Sequence, residues 1–336
     1  MILMQVLFLG PRLLAGIGQV TNRYAELLRS QGHDTEYCEV GYPPKKQKYD
    51  AGFAFILPIQ QQLDLIDQYA TLCDKMTYMT ICETETVHPA YSILSKYSPL
   101  YVASDFCKNV FKKQFPEIEW RVLPLFAYEK PLRAPADGTP YTFYSIGNMA
   151  DPRKNINGLL QAWKMCNFGD EARLVLKATC MQPFKLDLPG VLVINGLLPD
   201  EAIDRIHASC HCYINCSHSE GVGMGAVEAA LMSKPVIITD YGGLKEYVQT
   251  PWVVPCTLGP IGFDDFLFTK ELEWGHPSTE VLARHMRDCF EKRVSSWDHS
   301  YTKSLMADLS SSVSQHLLCA SEPLPTLPAS PCSQHS

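Results

Sequence analysis

Two carboxylates with seven residues between them, Glu220 and Glu228, stand in CYINCSHSEGVGMGAVEAALMSKPVIITDYGGLKEYV, the stretch from Cys212 to Val248. A carboxylate accepts paired hydroxyl hydrogen bonds, as from a sugar diol, and steadies developing positive charge. Gly221, Gly223 and Gly225 follow Glu220 and let backbone amides approach a ligand closely. A second group is the cation pair Arg153-Lys154 in DPRKN. Arg grips phosphate oxygens bidentately, and Lys adds a point charge. Cations at a helix start oppose the macrodipole, so a purely structural role there is unfavourable.

The elements that must carry these groups follow from patterning. Cys212 to Cys216 is apolar and reads as a buried strand. A glycine-spaced loop follows, then a helix with Val227, Ala230 and Leu231 on one face, stopped by Pro235. Val236 to Thr239 is the next strand, which completes a βαβ unit. Glu220 then lies in the loop at a strand's carboxyl end, where such sheets take ligands, and Glu228 lies about one turn into the helix. The helix start near Met224 is a ready anion site. Tyr141 to Ile146 is a strand, followed by Gly147, Asn148 and Asp151 to Asn155. A helix with Ile156, Leu159, Leu160 and Trp163 inward comes next, capped by Asn155. The strand Ala172 to Ala178 ends near Lys177, which reaches the crevice or snorkels. Val191 to Asn195 is a strand that leads into Gly196 and Leu197, and Pro199-Asp200 open a further helix.

The first half repeats the alternation. Gln5 to Gly10 is a strand, and Gly16 and Gly18 lie in the loop after it. A helix with Val20, Tyr24, Leu27 and Leu28 inward ends at Gly32. Strand, glycine loop and helix make a phosphate-binding arrangement or a plain tight turn. Thr21 spoils a G-x-G-x-x-G dinucleotide fingerprint. Strands at Asp34 to Val40, Ala51 to Leu57, Met76 to Cys82, Leu100 to Ala103 and Val122 to Phe126 complete the layer, with a helix over Gln60 to Cys73. Glu83, Glu85 and His88 follow the strand at Met76; they bind sugar hydroxyls or cap the loop. Ser104 and Asp105 cap a helix carrying Lys108, Lys112 and Lys113. Those lysines form a solvated face or touch an anionic membrane surface.

The two glutamates, the glycine turn, the Ala-Ala after Glu228, PVI, and Gly242, Gly243 and Glu246 match in order. In these features the chain resembles the donor site of retaining glycosyltransferases, chiefly family 4, with two Rossmann-like domains. The resemblance implies an α/β fold of two doubly wound parallel-sheet domains facing a cleft, the GT-B arrangement. It implies a nucleoside-diphosphate sugar, UDP- or GDP-linked, as donor. Glu228 would hold the ribose, and Glu220 a sugar hydroxyl and the charge at the anomeric carbon. Arg153 and Lys154, with amides near Gly16, Gly18, Gly223, Met224 and Gly225, would neutralise the leaving diphosphate. Gly196 and Leu197 would meet the base. His88, Glu83 and Glu85 fall in the loop that serves the acceptor, which is a carbohydrate, a lipid-linked sugar or a protein. No D-x-D pair is placed at a strand end, so no obligatory metal or other cofactor is expected.

At 336 residues two domains are expected. Residues 1–126 form an acceptor-side domain, 127–140 a Pro-rich linker and 141–277 a donor-side domain. Residues 278–308 form a terminal helical region, and 309–336 a Ser- and Pro-rich disordered tail. Apolar content of 46% with 19% charge fits a globular protein, and the net charge of −7 argues against a nucleic-acid binder. No run of eighteen apolar residues predicts a membrane span. MILMQVLFLG lacks the basic region and cleavage site of a signal peptide. The 13 scattered cysteines then suggest reduced thiols and a cytoplasmic protein, with peripheral membrane contact left open. His207, Cys210, His211, Cys212, Cys216 and His218 invite a zinc reading. Their spacing favours small buried side chains instead. Other readings of the same architecture are a phosphorylase or epimerase, a silent nucleotide-binding scaffold, and an oxidoreductase using Glu36 or Glu39 for a ribose.

Overall fold

A computed structural model describes residues 3–12, 16–131, 135, 138–179, 182–264 and 267–319. The chain is α/β and divides into two units. The first comprises Met1–Ala127, Ile261–Leu272 and Met306–Ser336, and the second Tyr128–Pro260 and Glu273–Leu305.

The first unit runs β1 (Gln5–Gly10), α1 (Gly16–Ser30), β2 (Asp34–Glu39), β3 (Ala51–Phe55), α2 (Gln60–Ala70), β4 (Met76–Thr80), β5 (Leu100–Val102), α3 (Asp105–Gln114) and β6 (Trp120–Val122). Its strands pair in parallel in the order β2-β1-β3-β4-β5-β6. β1 is a continuous apolar run because both sheet faces are covered: Val6, Leu7, Phe8 and Leu9 are all buried. α1 turns Val20, Tyr24, Leu27 and Leu28 inward, as its 3.6-residue spacing requires. The chain leaves α1 through Gly32 at φ +95°, a left-handed position suited to glycine. Ser104 caps α3 by accepting from Cys107 N.

The second unit runs β7 (Tyr141–Gly147), α4 (Ile156–Cys166), β8 (Ala172–Ala178), β9 (Val191–Asn195), α5 (Asp200–Ser209), β10 (Cys212–Asn215), α6 (Met224–Leu231), β11 (Val236–Thr239), β12 (Val253–Val254), β13 (Cys256–Pro260), β14 (Glu273–Pro277) and α7 (Thr279–Glu291). Its main sheet is parallel, in the order β12-β11-β10-β7-β8-β9. Phe143, Leu159, Leu174, Leu176, Ile214 and Met286 sit in its core. The chain winds outward from β7 through β8 to β9, then returns to β10 on the other side of β7. The strand order therefore reverses between β7 and β10, and in the first unit between β1 and β3. Such reversals open a crevice at the carboxyl ends of the strands.

Several sequence expectations are corrected. α8 (Ser300–Cys319) runs through the start of the expected disordered tail. Leu309, Val313 and Leu317 recur at i, i+4 and i+8 and are buried, an apolar stripe that the surrounding serines obscured. The rest of that expectation, residues 320–336, lies outside the described residues. After Pro255 the chain makes the antiparallel hairpin of β13 and β14, while Ile261–Leu272 groups with the first unit rather than the donor-side domain. β6 begins at Trp120 and ends at Val122, where a strand to Phe126 was expected; Leu123 to Phe126 stay buried in irregular backbone.

Candidate functional site

At the reversal between β7 and β10 the two chemistry-bearing loops of the second unit meet. The loop after β7 is shaped by its own side chains. Asp151 Oδ1 accepts from Arg153 N at 2.9 Å, which starts a 3₁₀ turn over Pro152–Lys154. Asn155 then enters the left-handed region at φ 50° and caps α4 by accepting from Gly158 N at 3.3 Å. Its Nδ2 also donates to Cys216 O at 3.1 Å, and His218 N donates to Arg153 O at 2.8 Å, so the two loops are stitched together.

Glu220 is the centre of this arrangement. Its Oε1 accepts from Lys154 Nζ at 2.5 Å, Ser217 Oγ at 2.7 Å and Asn215 Nδ2 at 3.4 Å; its Oε2 accepts from Arg153 Nη1 at 3.0 Å. Arg153 also donates to Ser219 O and pairs with Asp151 at 3.2 Å. The glutamate is only 6% exposed. Burial pushes its carboxyl up, but the Lys154 and Arg153 cations, with the Lys154 and Ser217 hydrogen bonds, bring it down to about 2. It is therefore ionised at neutral pH and serves as the counterion of both cations. Ser219 Oγ beside it is buried and finds no hydrogen-bond partner among the described residues.

The backbone at Glu220 is fixed from the far side. Gly243 N donates to Glu220 O at 2.9 Å, and Gly242 sits at φ +82° with its α-carbon against that carbonyl: a Cβ there would lie 2.5 Å from Glu220 O. The hairpin adds a further contact. His218 stacks on Trp274 at 4.8 Å, and its Nδ1 lies 2.9 Å from Gly275 O. A narrow cavity of about 10 Å³, room for roughly one water, lies between Gly147, Lys154, Ser217 and Glu220.

The remaining expected residues fall into distinct environments. Glu228 is on α6, with Oε2 3.7 Å from Nε2 of His207, whose Nδ1 lies 2.8 Å from the Tyr144 hydroxyl. Gly223 caps α6 at φ +77° without a side-chain cap, leaving the first turn's amides, Met224 among them, for the loop. Gly225 packs closely on β10, since a Cβ would meet the Tyr213 hydroxyl at 2.3 Å. Gly221 is buried within the Glu220 loop. Gly196 has φ +97°, and its carbonyl accepts from Lys177 Nζ at 2.8 Å; Leu197 is 46% exposed. Lys177 is thus a buried brace of the Gly196 loop, and does not reach a crevice.

In the first unit a Cβ at Gly18 would lie 2.2 Å from Arg12 O, whereas at Gly16 it would meet open space. His88 caps the 3₁₀ helix Pro89–Tyr97, its Nδ1 accepting from Ala90 N at 3.0 Å. Glu83 and Glu85 lie half-buried in the loop after β4. On α3 the apolar side chains Cys107, Val110 and Phe111 point into the core, so Lys112 and Lys113 stand exposed without an apolar membrane-facing stripe; Lys108 pairs with Asp105. Each histidine of the His/Cys cluster has its own partner, and among the described residues no group of three or more His, Cys, Asp or Glu is placed to hold a metal ion. Among the described residues no helix is long and apolar enough to cross a membrane.

Asn215, Ser217 and Asp151 complete the ion cluster and were missed. Polar residues closing an apolar strand run, as in INCS, were the available signal.

Residues 132–251 match the family model described as glycosyl transferases group 1. That match lies almost wholly within the second unit. A stretch of 118 residues is 30% identical to the O-antigen chain mannosyltransferase B of Escherichia coli, and it spans 32% of this chain and 30% of that relative. The fold is α/β with two six-stranded parallel sheets and is GT-B-like in its topology. It is similar to sucrose-phosphate synthase from Thermosynechococcus elongatus, with a TM-score of 0.59 at 13% identity over 94% of this chain and 95% of that one. It is also similar to the pneumococcal O-GlcNAc transferase GtfA in complex with UDP and GlcNAc, with a TM-score of 0.53 at 11% identity over 90% and 59%.

Proposed function

We propose that the protein is a retaining glycosyltransferase that moves a sugar from a UDP- or GDP-sugar to an acceptor hydroxyl. The observation that supports this best is the cluster of Glu220, Lys154 and Arg153 at a topological switch point of the unit that matches the group 1 glycosyl transferase model. In this reading the donor diphosphate takes one of the two cations, Lys154 and Arg153, from Glu220 and shares the other with it. The cations then meet the charge that grows on the diphosphate as the glycosidic bond breaks. That charge is greatest in the transition state, so the pair lowers the barrier rather than only tightening binding. Glu220, released from one cation, accepts a hydroxyl of the transferred sugar and steadies positive charge at the anomeric carbon. Glu228 accepts the ribose hydroxyls. His88, with Glu83 and Glu85, serves the acceptor.

Arg153 and Lys154 supply the positive charge that a divalent ion would otherwise bring, so turnover proceeds without one. Retention follows from front-side attack, in which the donor phosphate assists the acceptor hydroxyl. Glu220 is a poor nucleophile for a double displacement, because Ser217 and the cation it keeps still hold its carboxylate. The test is a panel of UDP- and GDP-sugars incubated with the protein, with and without EDTA. Release of UDP or GDP from the donor that EDTA does not suppress, with a product whose anomeric configuration matches the donor's, is the expected outcome. A strict need for metal, or an inverted product, contradicts it.

A further inference from the structure

The second unit buries a histidine that the donor chemistry leaves unused. His207, on α5, is 1% exposed. Its ring stands edge-on to Tyr144, with centroids 5.3 Å apart at 84°, and closer to parallel with Tyr213 at 6.1 Å. Its Nδ1 lies 2.8 Å from the Tyr144 hydroxyl. Its Nε2 is buried, has no hydrogen-bond partner among the described residues, and lies 3.7 Å from Glu228 Oε2. That gap is too long for a hydrogen bond. An orphaned polar atom in a core is costly and calls for an explanation, and here it stands before a carboxylate.

The partners decide where the ring proton sits. Burial pushes the Tyr144 phenol well up, so the hydroxyl keeps its proton. Nδ1 is the one acceptor that this hydroxyl finds among the described residues. When the hydroxyl donates to Nδ1, the ring proton is on Nε2 and an N–H meets Glu228. The other tautomer sets a lone pair against the carboxylate and leaves the hydroxyl proton unbonded. Tyr144 and His207 therefore form a relay of donors that ends on Glu228, whose side chain is 19% exposed. A shift of about 1 Å in the carboxylate completes the bond. Glu228 is a long side chain with several torsions to fix before it can accept from two neighbouring hydroxyls at once. A donor from the protein side fixes one oxygen and thereby sets the other.

We propose that His207 is a positioning residue that aligns Glu228 for the paired hydroxyls of a ribose, and so sets a preference for ribonucleotides over deoxyribonucleotides. This role rests on the reading that gives Glu228 the ribose. The experiment is titration calorimetry with the full chain, using UDP, GDP and their deoxyribose counterparts, and it needs no turnover. The wild type binds UDP or GDP at least about tenfold more tightly than the counterpart that lacks a hydroxyl. In His207→Asn, whose amide reaches only the Nδ1 position, that preference falls to about twofold while the deoxyribonucleotide binds as before. His207→Gln, whose amide nitrogen takes the place of Nε2, keeps most of the preference. A role in packing alone weakens both nucleotides together and does not separate Gln from Asn. Circular dichroism verifies folding. Should neither variant fold, histidine nitrogen NMR of the wild type decides: the ring in contact with Tyr144 carries its proton on Nε2.

A proton on Nδ1, or a loss in His207→Asn that His207→Gln shares in full, overturns the proposal. If Glu228→Gln abolishes the preference and His207→Asn keeps it, the proposal fails and the ribose reading stands. If the wild type binds ribo- and deoxyribonucleotides equally, or binds neither, the ribose reading fails and the proposal falls with it.

Discussion

Glu220 concentrates the chemistry of this chain in one side chain. A buried carboxylate is costly unless paired and hydrogen-bonded, and here two cations, a hydroxyl and an amide do both. Lys154 and Arg153 hold its folded carboxyl well below the ordinary value of 4.5. A depressed carboxyl adds stability that is fully present above the unfolded value and is lost as pH falls through the folded one. Chemical denaturation between pH 4.5 and 2 is therefore expected to show the wild type losing about 3 kcal/mol that Glu220→Gln does not lose. An equal pH dependence in the two proteins contradicts the pairing. Glu220 was legible as a site residue because its loop follows an apolar strand and precedes a glycine turn. Its choice of partner was not, since nothing in the spacing of Arg153 and Glu220, 67 residues apart, says that their loops meet.

At the scale of elements, α6 and the loop before it depend on backbone fit. Gly225 lies against the Tyr213 hydroxyl, and Gly225→Ala drives a Cβ to 2.3 Å from it. This variant is expected to lose about 1–3 kcal/mol, as overpacked sites do, and Tyr213→Phe in the same chain restores part of that loss. Thermal denaturation of the two single variants and the double variant reads the coupling; strict additivity contradicts it. Gly242→Ala both strains a left-handed residue and strikes Glu220 O, so donor affinity should fall in a chain that keeps its helical circular dichroism. Unchanged affinity would sink that account of Gly242. The glycines were visible in the sequence, but whether each serves a ligand or a neighbour was not. Gly223 and Gly242 take positive φ while Gly225 does not, and each meets a different neighbour, differences that only the folded backbone shows.

At the scale of the molecule, two parallel sheets were readable because strands covered on both faces are continuous apolar runs, such as Val6 to Leu9. The end of the chain was misread for the opposite reason. α8 carries serines on its outer face and only a thin stripe of Met306, Leu309, Val313 and Leu317 inward. Within the first unit that stripe is fastened by Gln31 Nε2 donating to Ser310 O at 2.8 Å and Lys75 Nζ donating to Leu318 O at 2.9 Å. Deleting residues from Leu309 onward is expected to cost several kcal/mol, since each buried aliphatic side chain contributes about 1.5–3 kcal/mol. The deletion should melt well below the full chain; an unchanged melting temperature contradicts the integral role of α8. The whole account turns on Glu220 acting on the donor as well as holding the loops together. The most direct measurement is the transfer rate from UDP- and GDP-sugars by the wild type and by folded Glu220→Gln, assayed side by side. A wild type active with one donor, and a variant whose kcat is lower by about a hundredfold, is the predicted result. Equal rates, or a wild type inactive with every donor, would contradict it.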